Sequence, residues 1–198
     1  MLVTDDGTAH LVWSEDESQV AHAIVTEDGR SKVFRQTFHE RTLGAEHVSE
    51  RDYVLAAGVG GELALVYAAD LYEGHPDRFV PHERTWQGDR WSAARTIPFP
   101  TRMFEYPLAI RYADYTFVSW NYVPPGDANR SVRGYAIRNK HGVWTSPQPM
   151  CLDHDGRMLT SAFIGLHVDS RGRVYTAWQS GGDKEETFVA EVTELREP

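Results

Sequence analysis

Tyr72 and Tyr122 stand in or beside polar loop segments, where a ring facing solvent can stack on a sugar. Asp127, in the same loop as Tyr122, and Arg51, in the loop Glu46–Tyr53, add a carboxylate acceptor and a planar guanidinium with several donors. Glu73, Asn129 and Asp183 enlarge the supply of acceptors. Together these residues predict recognition of a carbohydrate or another small polar ligand. The segment Leu152–Gly156 sets two acids on either side of His154, and oxygen ligands at alternate positions suit Ca²⁺. It lacks the further acids of a Ca²⁺-binding loop, so it reads as a polar turn. None of the nine histidines is paired at a His-x-x-x-His spacing, and neither a metal nor a cofactor is expected.

Such loops need a scaffold, and the scaffold is legible as a repeat. Trp13, Tyr67, Trp120 and Trp178 recur at intervals of roughly 55 residues, a period typical of propeller blades. Six positions before each stands Gly7, Gly61, Asp114 or Gly172, residue types that tolerate the positive φ of a tight hairpin turn. Between turn and aromatic the chain alternates with period 2, as in Leu63, Leu65 and Tyr67, which predicts a strand. A polar loop follows in each copy, and then a third strand, over Val20–Thr26, Phe79–Trp86, Val132–Asn139 and Phe188–Thr193. Pro-bearing stretches at Ile97–Pro100 and Ser146–Pro149 belong on a sheet edge, because Pro cannot donate to a ladder.

No helical period occurs anywhere. The expected fold is therefore all-β, a β-propeller of about four blades with four-stranded antiparallel sheets and an incomplete first and last blade. One repeat domain over 1–198 is expected, with repeats near 1–50, 51–104, 105–159 and 160–198. Three arrangements accommodate the missing half-blade: a ring whose termini share one blade, a part of a larger propeller, or an arc completed by a second chain. An open arc leaves strand edges unpaired, which favours the first two.

Composition removes other classes. A formal charge of −9 and a pI near 5.4 exclude a broad basic footprint for nucleic acid or anionic membrane. Cys151 is the single cysteine, so no intrachain disulfide forms. No signal-like or membrane-spanning run is present, and the expectation is a soluble segment whose compartment the sequence leaves open.

The recurring Asp-x-x-Gly phrase closing on Trp, followed by Gly-x-x-Trp-Ser at Gly88–Ser92 and Gly-x-Trp-Thr at Gly142–Thr145, resembles the blades of sialidase-like (BNR-type) β-propellers across nearly the whole chain. The repeats are degenerate, with Trp86 and Lys140 where an Asp-box would carry its Asp. The resemblance implies a ligand face formed by the loops leading into each innermost strand and those after each second strand. Arg51, Arg102 and Arg157 fall in three of the former, and in sialidases arginines from different blades hold a substrate carboxylate bidentately. Glu105 and Tyr106 supply the residue types of that family's nucleophile pair, though neighbours in a strand point to opposite faces. The expectation is a glycan- or polar-ligand-binding module without catalysis. The alternatives are a sialidase-like glycoside hydrolase and a protein-interaction scaffold or fragment of a larger propeller.

Overall fold

The computed structural model describes residues 1–15, 19–38, 53–58, 62–70, 79–98, 105–122, 132–150, 162–179 and 187–195. Fifteen strands among them form four separate antiparallel sheets, with no helix. The first sheet comprises β1 (Leu2–Val3), β2 (Ala9–Ser14), β3 (Gln19–Val25) and β4 (Ser31–Thr37). The second holds β5 (Tyr53–Ala57), β6 (Leu63–Asp70), β7 (Phe79–Thr85) and β8 (Arg95–Thr96). The third holds β9 (Glu105–Tyr112), β10 (Tyr115–Tyr122), β11 (Val132–Arg138) and β12 (Gln148–Pro149). The fourth has three strands, β13 (Ala162–Val168), β14 (Arg173–Gln179) and β15 (Thr187–Glu194). Each sheet is a plain meander in chain order.

One local turn recurs. In Thr4–Thr8, Thr26–Arg30, Asn139–Val143 and Asp169–Arg173 the first residue exchanges backbone hydrogen bonds across the turn, and the fourth residue is a Gly whose N–H returns to the first carbonyl. These glycines have φ between 77° and 82°, the left-handed region in which a Cβ is penalised. Side chains reinforce the geometry: Asn139 Oδ1 accepts from the N–H groups of His141 and Val143, and Asp169 Oδ1 from those of Arg171 and Arg173. The turn between β9 and β10 departs from expectation. Ala113, not Asp114, carries the positive φ, at 49°. Tyr112 pairs with Tyr115, so the loop is two residues long and its first position must be left-handed, as in a type II′ turn.

Alternation along each strand gives one face to the preceding sheet and the other to the following one. Leu63, Leu65 and Tyr67 pack on Val20 and Phe38 of the first sheet, while Ala64, Val66 and Ala68 meet Val118 and Trp120 of the third. Phe117, Tyr135 and Ile137 turn the other way, onto Val174 and Val192 of the fourth. The first strands lie innermost, with β1 against β5, β5 against β9 and β9 against β13. No comparable packing joins the fourth sheet to the first among the described residues.

Two expectations need correction. The termini do not share a sheet: β1 pairs with β2 in the first, and β15 with β14 in the fourth. The first sheet has its four strands, because two residues before the Thr4 turn suffice for a short ladder. Trp13 holds the repeat position of Tyr67 and Trp120, yet it is 38% exposed against 1% for those two. Among the described residues no sheet covers that face.

Candidate functional site

The turns that close the innermost hairpins converge. Val3–Asp6 at the end of β1, Ala57 and Gly58 after β5, Arg111 and Tyr112 at the end of β9, and Val168–Ser170 after β13 line one cavity of about 650 Å³. Every sheet contributes, because every innermost strand runs in the same direction and delivers its last residues to the same end. The volume falls in the range of small-molecule sites, and the lining is mixed: three carboxylates, three hydroxyls and one guanidinium.

Arg111 is the unusual member. It sits on the β9 face that carries Ala109 toward the second sheet, and its side chain is only 6% exposed. Its Nη2 pairs with Glu62 Oε2 at 2.8 Å, whereas Nε and Nη1 are buried without a hydrogen-bond partner. Leaving buried donors unmatched costs about 1–3 kcal/mol each, so Arg111 holds an incompletely satisfied charge within the wall of the cavity. Gly58 packs against it: a Cβ there would lie in ordinary contact, 3.4 Å from Arg111 Cβ and 3.5 Å from Nε. Its own N–H donates to the Glu62 carbonyl, which fixes the turn that brings Glu62 to Arg111.

The carboxylates differ in availability. Asp6 accepts from Thr4 Oγ1 at 2.6 Å and from the Thr8 N–H at 3.1 Å, and those bonds hold its pKa below the ordinary value. At Asp169 burial works upward, but the N–H groups of Arg173 and Arg171 and the Arg173 guanidinium outweigh it and keep the carboxyl low. Asp5 makes no hydrogen bond to the described residues and is exposed at the cavity rim, ready to accept. Tyr112 donates to the Ser170 carbonyl at 2.8 Å and its ring lies on Gly172, tying the third sheet to the fourth beside the cavity.

None of the side chains singled out from the sequence is among those described. Arg51, Tyr72, Arg102, Asp127 and Arg157 lie outside the described residues. Glu105 and Tyr106 begin β9 and Tyr122 ends β10, with their side chains outside the description. Those strand ends lie at the opposite end of the sheets from the cavity. Leu152–Gly156 is likewise outside it. Arg111, Asp5 and Tyr112 were missed by sequence reasoning. The signal for Arg111 was available, since it puts a charge where the alternation of β9 calls for an apolar side chain.

Other polar groups are absorbed by packing between sheets. Glu83 and Arg138 form an ion pair at 2.9 Å, buried between the second and third sheets and joined by Thr116. His10 Nδ1 and His22 Nε2 lie 3.1 Å apart, with His22 boxed by Phe34, Trp86 and Trp91. Among the described residues no group of three or more His, Cys, Asp or Glu is placed to hold a metal ion.

No protein-family model matches the chain, and no curated protein does. Among solved structures it is similar to the endo-arabinase from Bacteroides thetaiotaomicron, at 12% sequence identity and a TM-score of 0.47, over 93% of this chain and 74% of that one.

Proposed function

We propose that residues 1–198 form one β-propeller-type domain of about four blades that binds a neutral polyhydroxylated ligand, of the carbohydrate class, without chemical turnover. The observation that carries this reading is the cavity of about 650 Å³ shared by the four innermost hairpins, with the exposed Asp5 carboxylate at its rim and the buried Arg111 in its wall. A sugar suits such a lining, because each hydroxyl donates and accepts. The acidic rim of Asp5, Asp6 and Asp169 disfavours an anionic ligand by like-charge repulsion. Tyr112 adds a ring to the wall, in keeping with the mixed apolar and polar lining of sugar-sized sites.

Tyr72 and Tyr122 as platforms, with Asp127 and Arg51 as polar contacts, are also proposed to serve this ligand class. Calorimetric titration of a panel of neutral and acidic oligosaccharides separates the two groups of residues. For the cavity, Asp5→Asn combined with Arg111→Gln is expected to weaken binding at least about tenfold, the scale of lost charged contacts, with the fold intact by circular dichroism. Loss only in Tyr72→Ala with Tyr122→Ala moves the site to the loops. No binding by any glycan overturns the reading, and release of product from an acidic glycoside replaces it with hydrolysis by Arg51, Arg102 and Arg157 around a carboxylate, with Glu105 and Tyr106.

A further inference from the structure

The first and fourth sheets each leave one face uncovered, and the two faces match. On the first sheet Val12, His10, Phe34 and Gln36 turn toward the second sheet, so Leu11, Trp13, Val33 and Arg35 look outward by alternation. On the fourth sheet Val174, Ala190 and Val192 turn toward the third, so Tyr175, Val189 and Glu191 look outward. Trp13, Val33 and Val189, the last at 69% exposure, are among the few large hydrophobic side chains left exposed, and all three lie on these two faces. Their positions follow the rule of the internal interfaces. Everywhere else, the face bearing the recurrent aromatic of β6 or β10 packs on the opposite-type face of the sheet before it. Trp13 belongs to the aromatic-bearing face, and Val189 to the type of face that covers it.

We propose that this surface is an interface between two copies of the chain, with the outward face of the fourth sheet of one copy covering the outward face of the first sheet of the other. Charge agrees with the pairing. Arg35 gives only Nε to Glu15, at 2.9 Å from Oε2, and its two Nη groups make no hydrogen bond among the described residues. Glu191 is exposed on the facing surface and can accept from them. Because each copy owns both faces, two such contacts related by a two-fold axis close the assembly, and no apolar face remains open. The inference is independent of the ligand proposed for the cavity.

Sedimentation velocity over a wide concentration range tests it. The expected species has about twice the 22.5 kDa chain mass. Trp13→Glu and, separately, Val189→Glu are expected to weaken self-association at least about tenfold, with thermal unfolding and circular dichroism showing a folded chain. Val189 is exposed in the single chain, so its variant keeps the test open should Trp13→Glu fail to fold. Arg35→Glu and Glu191→Arg are each expected to weaken the dimer, and the two together to restore it. A monomer at every concentration overturns the proposal, as does a dimer unaffected by Val189→Glu or charge reversals that fail to compensate.

Discussion

Trp13 and Trp120 occupy the same place in the repeat, near the end of a second strand, yet one is more than a third exposed and the other is sealed. Trp120 lies among Ala56, Val66, Ala109 and Ala136, with the second sheet over it. Trp13 has its own sheet beneath it and, among the described residues, no sheet above. The contrast extends to the rest of the first sheet, whose inner face holds His10, His22 and Val20 out of water while its outer face shows Val33 and Arg35. Burial here is a property of the neighbour, not of the residue.

The largest effect expected from breaking the comparison is at Trp120. Trp120→Ala removes a large side chain from a closed interface and should cost about 3–5 kcal/mol in urea unfolding. Trp13→Ala in the dilute chain should cost well under half of that. Equal losses would mean that Trp13 is covered by something the separate sheets do not account for.

The covered face of the first sheet should titrate. Burial, and secondarily the neighbouring His10, push the His22 pKa down to about 4, and burial lowers His10 as well. His22 therefore stays neutral in the folded chain while the unfolded chain takes up a proton near pH 6.5. Stability is complete above about pH 6.5 and falls as pH drops toward 4, by up to about 3 kcal/mol from His22. His22→Phe should flatten that slope in urea midpoints measured from pH 7 to 4. A slope unchanged in the variant would assign the loss to other groups.

The smallest effect sharpens the description of the turns. Ala113 holds φ at 49° where the other innermost hairpins described use Gly7 and Gly172. Ala113→Gly should raise stability by about 1 kcal/mol, because relief of the left-handed strain exceeds the added freedom of the unfolded chain. A loss on this substitution would show that the Ala113 methyl contributes packing that outweighs the strain.

Much of the scaffold was readable in the chain. The third strand expected at Val132–Asn139 is β11 at Val132–Arg138, and that at Phe79–Trp86 is β7 at Phe79–Thr85, because alternation and flanking turn residues are local signals. The outer strands were less legible. β8 and β12 have two residues each, too few to show a period, and only the nearby prolines marked an edge. The Asp114 turn was misplaced by one residue because Asp tolerates a left-handed φ better than Ala, and the pairing of Tyr112 with Tyr115 decided the matter.

The candidate cavity was the least legible part. Its walls come from the ends of β1, β5, β9 and β13, which are far apart in the chain and share no motif. Arg111 needed the second sheet to bury it, with Gly58 against its side chain and Glu62 to take one of its nitrogens. What the sequence determined by itself is the period-2 strands and the Gly-closed turns, since each depends on φ preferences and alternation within a few residues. Which aromatic is sealed, which arginine is left unmatched and which faces stay open were decided by how four similar sheets pack, because burial and electrostatic pairing depend on residues that only the tertiary fold brings together.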